Sequence, residues 1–260
     1  MIGRILAWLT DGAHWQGNDG ILRRLIEHVQ YSLVAVLIAA LIAIPLGLFI
    51  GHTGRGRFLV VNLTGAARAI PSLGLLFLAV LWLGPKFSGD IAFLAPAGLV
   101  LVVLAIPPIL SGAYAGVEGV DPQARDAAKG MGMRGSQVLR RVELPCALPL
   151  IMSGIRSGTL QVIATATIAA VVGLGGLGRF LIDGLAVRDT PQTASGAVLV
   201  ALLALAVDMV LALVQRSVVS RGLTGRYGAV AAFDSDAGTK PPTPLPRHSA
   251  RSQQDSISSA

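Results

Sequence analysis

The chain has 260 residues, of which 53% are hydrophobic and only 13% charged, with a mean hydropathy of +0.68. A soluble domain carries roughly 25% charged residues, so the deficit excludes an ordinary soluble globular protein. The formal net charge of +7 would suit nucleic acid, but the basic residues sit in short gaps between long apolar runs, which is a membrane pattern with no nucleic-acid partner. The single cysteine, Cys146, excludes an intrachain disulfide and a cysteine-built metal site. His14, His28, His52 and His248 fall in scattered extramembrane positions and make no metal-ligand cluster. Met1–Thr10 lacks a long apolar core and a small-residue cleavage site, so no removable signal peptide is expected.

Residues 1–28 read as an N-terminal segment outside the membrane. Within it, Ile21, Leu22, Leu25, Ile26 and Val29 recur at helical spacing, either as a short amphipathic surface helix or as the start of the first span. A helix crosses the bilayer core with about 20 apolar residues. Five segments qualify, at 29–50, 58–84, 92–114, 148–172 and 193–215. The second is long for one span and contains Pro71, which removes a donor and frees a carbonyl one turn earlier; it reads as one broken or kinked helix, with two short helices as the alternative. Arg55 and Arg57, then Arg125, Lys129, Arg134, Arg140 and Arg141, then Arg216, Arg221 and Arg226 enrich one set of gaps. Those gaps are expected to face the cytoplasm, with the N-terminus outside and the C-terminus inside. Arg23 and Arg24 argue mildly the other way. Residues 217–260 form a cytoplasmic tail, and its Pro-, Ser-, Thr- and Gln-rich part from Ala237 is expected to be largely disordered.

The most informative stretch is the loop 116–147 between the third and fourth spans. Asp121-Pro122 is a helix start, Gly130 and Gly132 break the helix, and a second short helix from Gly135–Ser136 is expected to end at Pro145. Asp126-Ala127-Ala128, three residues, Gly132, nine residues, then Val142-x-Leu144-Pro145 resembles the cytoplasmic loop signature of ABC importer permeases, with Asp for Glu and Val for Ile. Ala69-Ile70-Pro71-Ser72-Leu73-Gly74, Gly116-Val117-Glu118-Gly119-Val120-Asp121-Pro122, Gly154-Ile155-Arg156 and Gly173-Leu174-Gly175-Gly176-Leu177-Gly178 are similar to the osmoprotectant branch of that family.

The resemblance spans roughly Gly17 to Arg216. It implies an all-α integral membrane protein with the five-helix type I importer permease core. It also implies uptake of glycine betaine, choline, carnitine or proline-like solutes by alternating access. The implied partners are a pair of ATPase subunits, a second permease subunit (the same or homologous) and an extracytoplasmic solute-binding protein, all at the bilayer. No cofactor binds this chain; ATP acts on the ATPase. By the same resemblance Asp126, Ala127, Ala128, Gly132, Leu144 and Pro145 form the ATPase-coupling loop, with small alanines for close packing and glycine for the turn. Arg68, where the branch usually has a neutral polar residue, joins Pro71, Ser72, Gly173, Gly175, Gly176 and Gly178 as candidate pathway or gate residues.

Gly173, Gly175 and Gly178 also spell G-x-G-x-x-G, but a membrane helix rather than a strand precedes them, so they are read as a turn or close helix approach. No G-x-x-x-x-G-K-[ST] occurs, so the chain is not its own ATPase by that route and carries no catalytic residue. Three charges lie within spans. Arg156 and Asp208 sit at matching depth and read either as a buried structural ion pair or as separate snorkelling residues. Arg68 either satisfies carbonyls freed by Pro71 or lines the path. An ion-coupled secondary transporter would show repeats and paired intramembrane acids, and an intramembrane enzyme a nucleophile or metal pair; neither pattern appears. A methionine-like amino-acid ABC permease is the alternative within the class.

Overall fold

A computed structural model describes residues 1–58, 60, 62, 65 and 69–219; Arg68 and the tail from 220 lie outside the described residues. The described residues are helical, with no strand among them. Four helices are long and apolar enough to cross a membrane, with a shorter apolar helix between the first two.

A short helix α1 (Ile2–Thr10) and a 3₁₀ turn (Gly12–Trp15) precede α2 (Ile21–Thr53). At 33 residues α2 is about 50 Å long, so Ile21–Val29 is the start of the first span rather than a separate surface helix. It ends at Gly54, whose left-handed backbone lets its N–H close on the Ile50 carbonyl. The second apolar segment is broken at Pro71: α3 (Ser72–Leu83) starts there, because proline supplies no N–H but has the backbone angle of a helix start. Part of the stretch before Pro71 lies outside the described residues, which hold four of the five expected spans as long helices and the second only as the shorter α3. Lys86, in the 3₁₀ turn that follows α3 (Gly84–Lys86), lies 4.3 Å over the Trp82 ring.

Helix α4 (Ile91–Glu118) is central. Val100, Leu101, Leu104, Ala105, Ile109 and Leu110 are buried between α2, which presents Ala35, Ala39 and Ala43, and α7 (Leu144–Ala169), which presents Val162, Ala166 and Ala169. The crossing of α4 with α7 depends on missing side chains. A Cβ on Gly112 would lie 2.6 Å from the Leu150 carbonyl oxygen, and one on Gly154 would lie 2.8 Å from that of Pro108. In lipid, apolar surface has no water to escape, so helices associate through such close packing. A second cluster, Ile21, Ile163, Leu177, Phe180 and Leu203, joins the start of α2 to α7, α8 (Gly178–Ala186) and α9 (Thr190–Val218). Trp8 of α1 packs against it, stacked on His14 and edge-on to Phe180. Outward-facing Leu33, Leu37 and Leu41 of α2 and Leu202, Leu205 and Met209 of α9 are exposed, as a lipid-facing wall requires.

The connection from α4 to α7 departs from the sequence expectation. Helix α5 (Pro122–Gly130) stands apart, but α6 (Gly135–Val138) does not stop at Pro145. It continues through a wide π turn (Leu139–Glu143) directly into α7, with Pro145 in the first turn. Proline within a helix removes one backbone donor and clashes with the carbonyl four residues back. The wider turn before Pro145 relieves both, so the helix bends its ladder instead of ending.

Gly154→Val is expected to lower the melting temperature of the purified protein in detergent, by the ~1–3 kcal/mol typical of overpacking. Gly98→Ala is the control, because nothing lies within 4 Å of a Cβ there. Equal melting of the two variants would show that the α4–α7 crossing does not depend on the missing side chain.

Candidate functional site

The predicted coupling residues gather on α5 and the turn after it. Asp121 caps α5 by accepting from the Gln123 N–H at 2.9 Å, and Pro122 occupies the first turn, where no donor is needed. At the other end the Met133 N–H donates to the Ala128 carbonyl at 3.2 Å and the Gly132 N–H to that of Lys129 at 2.9 Å. This paired closure requires a left-handed residue between helix and exit, and Gly132 has φ +82°. Of the two alanines, Ala128 is buried against the bundle while Ala127 faces out beside Asp126, which approaches Lys129 at 3.7 Å. Met131, at the tip, is 72% exposed. The protruding surface is therefore Asp126, Ala127, Lys129, Gly130, Met131 and Gly132. Leu144 and Pro145 are not on it; they begin α7.

Behind α5 lies a polar cluster that the sequence pattern does not show. Glu143, in the π turn, is 2% exposed. Its two oxygens meet His52 Nδ1 at 2.6 Å and Arg125 Nε at 3.0 Å. Arg125 also donates through Nη2 to the Val117 carbonyl, in the last turn of α4.

At the opposite end of the bundle the glycine-rich segment forms the turn between α7 and α8. Gly173 and Gly176 have φ of +94° and +88°. The Gly176 N–H donates to Glu27 Oε2 at 3.0 Å, a Cβ on Gly175 would run into that same carboxylate, and Gly178 lies against Thr167 and Ala170. His28, near the start of α2, is not a free surface histidine. It is fully buried beside Gly176, with Nε2 3.2 Å from the Ile163 carbonyl oxygen. A cavity of about 370 Å³ opens there, walled by Arg24, Glu27, Tyr31, Asp90, Phe93 and Arg179. Arg24 is matched by Glu27 at 3.0 Å and Asp19 at 2.5 Å, and Arg179 by Asp183 at 2.8 Å.

A larger open cavity of about 610 Å³ runs beside α4 and α7. Ser72, Ser111, Ser153, Ser157 and Gln161 supply its polar wall, and no ionisable side chain lines it among the described residues. Pro71 shapes its rim by starting α3, while Gly112 and Gly154 keep its floor flat. The structure thus separates the candidate pathway residues: Ser72 is in this cavity, and the glycines are at the far end of the bundle.

Arg156 and Asp208 are brought together as a two-point pair, with Nη2 and Oδ2 2.5 Å apart and Nε beside Oδ1. The pair is not buried within the chain, since the side chains are 40% and 21% exposed. It lies on the flank where α9 leans on α7. Gln215 Nε2 donates to the Pro149 carbonyl at 3.3 Å, seven residues further along each antiparallel helix.

The profile of the binding-protein-dependent transport system inner membrane component family matches residues 43–222. The chain belongs to that family: it is a multi-pass inner-membrane transport component, not an enzyme. Among curated relatives it is 36% identical to the glycine betaine/carnitine/choline transport system permease protein OpuCB of Bacillus subtilis, over 81% of this chain and 94% of the relative. It is 35% identical to the choline transport system permease protein OpuBB of the same species, over 80% and 93%. It is 34% identical to the osmoprotectant import permease protein OsmW of Salmonella typhimurium, over 79% and 95%. In fold it is similar to a chain of the inward-facing MetNI methionine ABC transporter, with a TM-score of 0.64 at 20% identity over 76% of this chain and 96% of that one.

Replacing Asp208 with Ala alone is expected to impair folding yield and transport more than replacing both Arg156 and Asp208, because the single change strands a cation on an apolar flank. Additive losses in the double-mutant cycle would mean the pair is not energetically coupled.

Proposed function

We propose that this chain is the permease of an ABC importer for osmoprotectants: glycine betaine, choline, carnitine or proline-like solutes. The protruding α5 turn carries the reading. Its residues Asp126 to Gly132 form an outward-directed surface closed by a left-handed glycine, the shape a docking contact requires. In this reading α5 faces the cytoplasm and docks on an ATPase subunit, one of a pair. ATP acts only there. The N-terminus is outside and the C-terminus inside, following the arginine-rich gaps. A solute-binding protein delivers cargo at the end bearing Gly173–Gly178, and a second permease subunit completes the pore.

The substrate class rests on the named activities of relatives that match along most of their length. The serine-lined cavity supports it. Betaine and carnitine carry a cation and an anion together, so a neutral wall with hydroxyl groups passes them without the retention that a fixed charge of either sign would cause. The methionine-transporter likeness reflects fold alone and adds no support for methionine as cargo.

The test is uptake into proteoliposomes holding the permease with its ATPase and binding protein. Glycine betaine, choline or carnitine should accumulate in an ATP-dependent way and methionine should not; the reverse would overturn the substrate class. In the same system Gly132→Val should cut solute-stimulated ATP hydrolysis by roughly tenfold, since the left-handed conformation costs a non-glycine residue about 1–2 kcal/mol. Unchanged stimulation would remove the α5 turn from the coupling route.

A further inference from the structure

Helix α5 has little to hold it. Eight of its nine residues are exposed or partly exposed, and Ala128 alone is buried. One small apolar contact cannot carry a displacement of the helix into the bundle. The stronger attachment is polar. Arg125 projects from the inner side of α5 and reaches two separate elements, Glu143 in the π turn leading into α7 and the Val117 carbonyl at the end of α4. Glu143 in turn holds His52, at the end of α2. His52 also lies against the start of α6, where its Nε2 is 3.4 Å from the place a Cβ on Gly135 would occupy.

We propose that Glu143 is a positioning residue for coupling: a buried carboxylate through which movement of α5 is passed to α2 and α7, while its partner Arg125 carries it to α4. This inference rests on the import reading above. Three observations support it. The carboxylate is almost wholly removed from solvent, so its partners are not interchangeable with water. Each oxygen has its own partner, so the link to α5 and the link to α2 are made at once. The π turn supplies the geometry: it widens the helix one turn before α7 and places Glu143 under α5. The signature of the loop leaves position 143 open, so the resemblance assigns this residue no role.

A displacement of α5 that left Glu143 behind would strand a buried charge, which is among the costlier events inside a protein. Moving α2, α4 and α7 with α5 avoids that cost. The cluster therefore makes the rigid-body route the cheaper one and suppresses idle motion of α5 against the bundle.

The experiment uses the full reconstituted transporter in a Cys146→Ser background, with spin labels at Gln123→Cys on α5 and Thr53→Cys at the end of α2. In the otherwise native chain the distance between labels should stay narrow and unchanged between nucleotide-free and ATP-trapped states. In Glu143→Gln, and separately in Arg125→Gln, it should broaden and differ between the two states. The ratio of binding-protein-stimulated to basal ATP hydrolysis should fall at least fivefold in both. Arg125 is partly exposed, so its variant keeps the test alive where Glu143→Gln fails to insert. Distances as narrow in the variants as in the parent would overturn the proposal, as would an unchanged stimulation ratio. The label distances do not depend on the cargo. A parent transporter that no osmoprotectant stimulates would therefore refute the substrate reading while the distances still decide the role of Glu143.

Discussion

In hydrocarbon a backbone N–H or C=O has no water to turn to, and every other feature of this chain is arranged around that constraint. It makes the long apolar runs helical without any need for strong helix propensity, and it decides how prolines are used. Pro71 and Pro122 open helices, where a missing donor costs nothing. Pro145 is taken up by a π turn. Two of these prolines adjoin the sites described above: Pro71 precedes Ser72 of the serine-lined cavity, and Pro145 lies two residues from Glu143. Irregular backbone at membrane depth is tolerated where protein or a cavity receives it, so the breaks mark where the chain departs from a plain bundle.

The first long helix, α2, ties the two ends of that bundle. Near its start Glu27 and His28 engage the glycine turn at Gly176 and the Ile163 carbonyl. At its finish His52 engages Glu143. Both attachments are polar and both reach α7 or its flanking turns, roughly 36 Å apart along α2. Between them α2 meets α4 largely through small residues, Ala35, Ala39, Ala43, Gly47 and Gly51, which fit closely and offer no directional side-chain bond. Small residues let helices approach but specify their register weakly; hydrogen-bonded groups at the ends specify it strongly. The result is a frame fixed in register at both ends, which in the proposed import cycle would join the α5 end to the glycine turn at the other.

That division also explains what the sequence made legible. Hydropathy pointed to the four long apolar helices because lipid selects composition directly, and the Asp121-Pro122 start and Gly132 turn were legible because their chemistry is local. Arg156 and Asp208 stood out as charges within apolar runs, though nothing in the sequence said that they lie on an open flank rather than inside the bundle. The clusters around Glu143 and His28 were not legible. Their partners are separated by 91 and 135 residues, and histidine near a span boundary looks like an ordinary interfacial residue until the fold buries it. The one available signal was Glu143 itself, an acid within a run otherwise rich in arginine. The continuation through Pro145 was misread for a related reason: a π turn leaves no residue-type signature that distinguishes it from a helix end.

Helix α9 shows the same physics from its weaker side. It is strongly apolar yet buries only Ser195, Gly196 and Leu203 within the chain. Apolar contact with α7 and apolar contact with lipid differ little in free energy, so packing alone would let α9 slide or rotate. Two polar rungs prevent this. Arg156–Asp208 and Gln215–Pro149 lie seven residues apart on each helix, in opposite directions, which is the spacing that keeps an antiparallel pair in a single register. A shift by one residue would break both rungs together and leave a guanidinium facing hydrocarbon. The register of the outermost helix is thus set by the penalty for unpaired polar groups, and the half-exposed position of the ion pair follows, since it must sit where a loosely packed helix meets the frame.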